Sequence, residues 1–282
     1  MTLTLTVTAV VLFAAVLHSG WNAIAKAIPD RLAASTLIAL VYLVSGIAGS
    51  LVFGAPLEAS WPFIAASACL QTMYMILLTA SYKHGDFSQV YPLARGLAVL
   101  VVAAVAMTFL AEQLNLMQLA GVAVVAGSLL SLSLTGGRAG NRKGSLFAVL
   151  TGLSIAAYTL VDGVGVRLSG EPLGYVAWLF LLQGAMIPML CWWLAPSRGG
   201  FVIEVRAHWK PGLLGGLMSM LAYAAVVWAQ SLAPLALVSA LRETSVLLAG
   251  VIGAVFFSER FSKVRMGLTA AAVCGIVALQ LG

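Results

Sequence analysis

The 282 residues are 62% hydrophobic and only 9% charged, with 15 Lys and Arg against 9 Asp and Glu. A water-soluble domain carries about 25% charged residues, so most of this surface faces something other than water. The basic excess does not point to nucleic acid, because the Lys and Arg sit in short breaks between apolar runs and read as topology signals.

A helix needs about 20 apolar residues to cross hydrocarbon. Breaking the chain at charges, prolines and glycines predicts ten such spans, near 3–28, 32–54, 60–83, 87–110, 114–135, 144–168, 172–195, 209–232, 234–257 and 262–281. Strand-like alternation is absent, which argues against a barrel. The first run has neither a basic start nor a small-residue cleavage site and reads as a retained span rather than a signal peptide. The joints, among them Pro29-Asp30-Arg31, Gly85-Asp86, Gly170-Glu171-Pro172 and Ala233-Pro234, are too short to hold a soluble domain. Cys69, Cys191 and Cys274 lie singly inside apolar runs, so neither a disulfide framework nor a metal spacing is expected.

Loops after odd-numbered spans carry Lys26, Arg31, Lys83, Arg138, Arg142, Lys143, Arg198, Arg206, Lys210, Arg260, Lys263 and Arg265, against Arg167 alone on the other side. The positive-inside rule then places the odd loops in the cytoplasm and both termini outside. Ten spans divide into two sets of five, and an odd number per half makes a repeat an inverted one. A shift of 147 residues (242 − 95) pairs Arg95 with Arg242, Phe109 with Phe256 and Glu112 with Glu259. In so apolar a chain the charged matches carry the weight, and they suggest halves at 1–137 and 138–282.

Charged side chains at bilayer depth cost at least about 2.5 kcal/mol each on insertion scales and mark candidate sites. Arg95, Arg242, Asp162 and Glu243 lie at such depth. On one reading the two acids neutralise the two arginines and hold the halves in register. On the other, an arginine faces a cavity and grips a carboxylate or phosphonate bidentately. His18, Asn22 and Lys26, spaced by four on the first span, form a polar stripe, with His18 a candidate for proton coupling. Tyr91 and Tyr158 stand one turn before Arg95 and Asp162, and Tyr74 and Trp228 sit deep enough to wall a cavity. Gln71 and Gln183 are further polar candidates. Trp61, Trp192, Trp193 and Trp209 read as belt anchors. Lys83-His84-Gly85-Asp86 reads as a loop rather than a metal site. Pro92 and Pro188 loosen their spans, and Gly121, Gly127, Gly267 and Gly275 offer surfaces for close packing.

The stretch Tyr91-Pro92-Leu93-Ala94-Arg95-Gly96 through Ala111-Glu112-Gln113 to Gly121 and Gly127 resembles the end of an EamA-type repeat of the drug/metabolite transporter superfamily. Leu241-Arg242-Glu243 through Ser258-Glu259-Arg260 to Gly267 and Gly275 resembles the same. The resemblance implies an all-α protein of ten transmembrane helices in two inverted five-helix repeats around a central cavity. It also implies a multi-pass protein of the cytoplasmic (inner) membrane that exports amino acids or other small metabolites. Cytoplasmic termini are common in that family, whereas the loop charges here say the reverse. No Gly-x-Ser-x-Gly or His-Glu-x-x-His arrangement points to an enzyme, and nothing calls for a cofactor. The expected partners are a small-molecule substrate and the lipid bilayer, with proton coupling as an option and oligomeric state unread. A channel, or a structural membrane protein with internally paired charges, is the alternative.

The orientation has a direct test. With Cys69, Cys191 and Cys274 replaced by alanine, an impermeant maleimide added to intact cells is expected to label Glu171→Cys. Ser197→Cys should react only after the cells are opened, and the opposite pattern would invert the topology.

Overall fold

In hydrocarbon a backbone N–H or C=O has no water to turn to, so a spanning segment satisfies its polar groups internally as a helix. The computed structural model describes residues 5–135, 142–248 and 263–282, with only the backbone at 87 and 88. Among these residues the chain is all α. The helices are α1 (Leu5–Ala27), α2 (Arg31–Phe53), α3 (Trp61–His84), α4 (Phe87–Phe109), α5 (Leu116–Thr135), α6 (Arg142–Leu168), α7 (Pro172–Leu194), α8 (Arg198–Ala207), α9 (Trp209–Leu232), α10 (Leu235–Arg242) and α11 (Lys263–Leu281). Nine of the described helices are long and apolar enough to cross a membrane, and the chain is a multi-span membrane protein. Large apolar side chains such as Leu5, Phe109, Leu134 and Trp193 are correspondingly exposed. The proposed boundary at 137/138 lies outside the described residues, as do Arg138, Phe256, Ser258, Glu259 and Arg260.

The breaker clusters act through specific caps. Asp30 takes the extended conformation before α2, and its carboxylate accepts from Leu32 N (2.8 Å) and Ala33 N (3.0 Å). Glu171 accepts from Leu173 N at 3.1 Å, with Pro172 in the first turn of α7, where its missing N–H is not needed. Gly170, just before, has φ +74°, a left-handed conformation suited to glycine.

Three features depart from the sequence reading. The Ser197–Lys210 linker contains α8, capped by Ser197 and laid against α2 through Val205. Lys83 and His84 belong to the last turn of α3 rather than to a loop. The ninth span, expected to run unbroken over 234–257, stops at Arg242 and resumes as helix at 244–248. At this break Glu243 N donates to Ala240 O (3.1 Å) and Val246 N to Glu243 O (2.9 Å), so the helix tightens to i→i−3 bonding. Thr244 Oγ1 donates to Leu241 O at 2.7 Å, a side-chain bond that competes with the regular ladder.

The chain forms two compact units. One comprises Met1–Leu12, Met73–Leu160 and Leu232–Gly282, the other Phe13–Thr72 and Val161–Ser231. In the first unit α5 and α11 pack closely: a Cβ on Gly121 would meet Gly275 O at 2.7 Å and Leu279, while one on Gly275 would meet Gly121 O and Val125. The pairs are reciprocal at one offset, 154 residues (275 − 121 and 279 − 125). Thr8 Oγ1 donates to Gln280 Oε1 on α11. In the second unit α2 and α7 behave likewise. Gly46 sits on the backbone of Leu181 and Gly184 on that of Leu43, with a common offset of 138 (184 − 46 and 181 − 43). The Trp178 indole near the start of α7 donates to Gly54 O, just past the end of α2, at 3.1 Å, so the two helices run antiparallel. Tyr42 stacks on Phe180, ring centroids 4.5 Å apart. Of the four expected packing glycines, Gly121 and Gly275 make such contacts, whereas Gly127 and Gly267 have nothing within 4 Å of a built Cβ.

Packing this close leaves no room for a methyl group. Gly46→Ala and Gly184→Ala are each expected to lower stability by about 1–3 kcal/mol through forced backbone separation. Gly127→Ala should leave the thermal unfolding midpoint in detergent unchanged, and equal midpoints for all three would refute the close-packing account.

Candidate functional site

Burying an ion is tolerable only where partners replace its hydration. Among the described residues four ions are buried in the spans: Arg95 (3% exposed), Arg242 (5%), Glu243 (1%) and Asp162 (0%). Arg95, Arg242 and Glu243 belong to the first unit and Asp162 to the second.

In the first unit α4 presents Arg95 to the break after α10. Arg95 Nε donates to Glu243 Oε2 at 2.8 Å, and Arg242 Nε stands 3.9 Å from Glu243 Oε1. Among the described residues two guanidinium groups therefore share one carboxylate, leaving a surplus of one positive charge. At about 4 Å and an effective dielectric near 20, one ion pair is worth about 4 kcal/mol, so Glu243 offsets one arginine rather than two. Several polar atoms here lack hydrogen-bond partners among the described residues: Arg95 Nη2, Arg242 Nε and Nη2, Glu243 Oε1, and the hydroxyl of Ser239. Tyr91, Tyr158 and Tyr74 lie within electrostatic range of Arg95, and Tyr74 also of Arg242. Tyr74 and Tyr158 meet edge to face with centroids 5.7 Å apart. The break is anchored at its other end, where Glu112 accepts from Leu235 N (2.8 Å) and Ala236 N (3.3 Å) and so caps α10. Glu112 follows Ala111, whose φ of +53° is a left-handed conformation that disfavours a side chain.

In the second unit Asp162 is held by neutral donors. Tyr175 Oη donates to Oδ1 at 2.9 Å, Tyr223 Oη donates to Oδ2, and Gln71 Nε2 reaches Oδ2 at 3.4 Å. Gln71 also donates to Tyr223 Oη (2.7 Å) and Ser67 Oγ (2.9 Å). The network joins α3, α6, α7 and α9. On one reading of the sequence Asp162 neutralises an arginine; tyrosine hydroxyls and an amide engage both its oxygens.

Other expected residues fall in the second unit as well. On α1, Trp21 Nε1 donates to His18 Nδ1 (3.3 Å) and Asn22 Nδ2 to His18 O (2.7 Å), so much of the polar stripe is spent within its own helix, while Lys26 is exposed. Trp228 is half-buried on α9. Gln183 is buried, and its Oε1 lacks a partner among the described residues. No group of three or more His, Cys, Asp or Glu able to hold a metal is found among the described residues.

The structure thus gathers Arg95, Arg242, Glu243, Tyr91, Tyr74 and Tyr158 in one unit, and places Asp162, His18, Asn22 and Trp228 in the other. Residues 142–280 match the family model of the EamA-like transporter family. The chain belongs to that family. EamA-like proteins fall within the drug/metabolite transporter superfamily and are membrane transporters rather than enzymes. The EamA-like fold matches a solved structure described only as "Crystal structure of protein". Its TM-score is 0.73 at 17% identity, over 98% of this chain and 98% of that one, a likeness that carries the fold alone. No curated protein matches the chain.

Sequence reasoning missed Tyr175, Tyr223, Ser67, Ser239 and Ser245. Isolated hydroxyls in apolar runs were the only signal, and the carboxylate that Tyr175 and Tyr223 meet lies 13 and 61 positions away. Glu243→Gln is expected to lower stability by about 3–5 kcal/mol, since it strips Arg95 of its counter-ion in a dry site. Glu204→Gln, at a half-exposed pair with His208, should change it by less than about 1 kcal/mol. Detergent denaturation midpoints compare the two.

Proposed function

We propose that this EamA-like protein is a secondary transporter of the cytoplasmic membrane that exports a small carboxylate-bearing metabolite by alternating access. The eligible class comprises amino acids, related zwitterions and organic anions. One observation carries the reading: among the described residues two buried arginines share a single glutamate, and guanidinium N–H groups and the Ser239 hydroxyl beside them lack partners. Unfilled donors around a surplus positive charge are what an incoming carboxylate satisfies, two N–H groups at a time. Tyr74, Tyr91 and Tyr158 supply aromatic surface with hydroxyl tips beside those donors. Asp162, His18, Asn22 and Trp228 are carried as secondary substrate contacts. His18 is also the candidate for coupling to protons.

The halves at 1–137 and 138–282 are proposed to be inverted repeats that exchange roles in the cycle. The reciprocal contacts of Gly46 with Leu181 and of Gly184 with Leu43, and of Gly121 with Gly275, support this. In each pair the glycine of one half sits on the other half as its counterpart sits on it. The break in the ninth span, at the residues that carry charge, is a recurrent device of transporter sites.

A second reading is favoured by the 2.8 Å bond between Arg95 and Glu243: the charges serve as an internal strut and bind no ligand. Uptake of labelled amino acids and organic acids into proteoliposomes separates the two. Arg242→Gln is expected to reduce transport at least about tenfold, the scale of one lost charged hydrogen bond, with monodispersity in detergent retained. Saturable, undiminished transport by the Arg95→Ala, Arg242→Ala double variant would refute the anion-binding assignment.

A further inference from the structure

We infer that the substrate is an organic monoanion without an ammonium group, a choice within the class proposed above that rests on the arginine site being the binding site. The first ground is electrical. Arg95, Arg242 and Glu243 sum to one positive charge, which a single carboxylate neutralises and a zwitterion leaves in place.

The second ground is the balance of donors and acceptors. Arg95 Nη2, Arg242 Nε and Arg242 Nη2 lack acceptors among the described residues, and the Ser239 hydroxyl can also donate. Against them stands, among the described residues, one charged acceptor without a hydrogen bond, Glu243 Oε1, and that atom already lies 3.9 Å from Arg242 Nε. A carboxylate brings charged acceptor oxygens to the three guanidinium N–H groups. An ammonium brings three more donors, and the one described carboxylate it could approach lies between two guanidinium groups. The third ground is the other buried acid. Both oxygens of Asp162 are engaged by Tyr175, Tyr223 and Gln71, so receiving an ammonium there would break an existing bond. The neighbouring surface is phenolic, through Tyr74, Tyr91 and Tyr158, which suits an apolar or aromatic body behind the carboxylate.

Isosteric pairs that differ only in the amino group test the inference. The full chain, solubilised in detergent, is titrated with 3-phenylpropionate against phenylalanine, 4-methylpentanoate against leucine, and 2-phenylethylamine, with binding read by calorimetry. Each deaminated acid is expected to bind at least about tenfold more tightly than its amino acid, because the zwitterion brings an unpaired donor into a dry site. Ser239→Ala, which leaves the ion pair intact, should weaken acid binding about threefold to tenfold without altering the unfolding midpoint. Arg242→Lys should keep the charge but lose the bidentate grip, weakening it further. Phenylalanine or leucine binding as tightly as its deaminated partner overturns the monoanion assignment and leaves the carboxylate site standing. Binding of 2-phenylethylamine alone, or of no probe, overturns the arginine site with it. Acid binding that is indifferent to both variants also overturns it.

Discussion

A guanidinium removed from water needs a carboxylate within reach, and the arrangement of the first unit follows from the one that Arg95 finds. Glu243 sits where α10 stops, and the bond between them ties the middle of α4 to the end of α10. Seventeen residues after Arg95, Glu112 turns back from a left-handed corner and caps the first turn of the same helix. α10 is therefore held at both ends by α4 and the corner that follows it, through one charged bond and one cap. Both ties are made by buried or half-buried groups, where a lost partner is expensive.

Glu243 and Asp162 illustrate two ways of keeping a carboxylate in a membrane interior. Glu243 faces cations and is shared by two of them. Asp162 faces hydroxyls and an amide, which stabilise its charge by hydrogen bonding without adding charge of their own. The consequence for function is an asymmetry between the two clusters. Among the described residues the arginine cluster retains unfilled donors and a net charge. The Asp162 network has both its oxygens engaged and joins four helices, so its physical effect is to fix them.

How much of this was legible depended on how local each determinant was. The spans followed from composition, and the starts of two of them from Asp30 and Glu171-Pro172, whose caps act over two or three residues. The recurrence of Arg followed by Glu 17 positions later was visible as a pattern. Its physical meaning was not, because the Arg95 and Glu112 ties end on residues 148 and 123 positions away. The break at Glu243 was hidden for a related reason. Leu235 to Leu248 reads as one apolar helix, and the tightened bonding at Glu243 accompanies a partner brought by α4. α8 was read as linker since ten residues with three charges lack a spanning signal; its position on α2 depends on Val205 meeting Ile28, Ala34 and Leu37.

By itself, the sequence determined that this chain lives in lipid, crosses it many times as helices, and carries four ions at depth. Those are properties of composition and of length measured against the bilayer, and they need no knowledge of neighbours. Tertiary structure decided which ion meets which. It paired Arg95 with Glu243, left Arg242 at the edge of the same carboxylate, and gave Asp162 to two tyrosines. It also selected Gly121 and Gly275 over Gly127 and Gly267 for close contact. The physical reason is common to all of these: charge pairing and close packing act over a few ångströms in space, and sequence separation does not encode that distance.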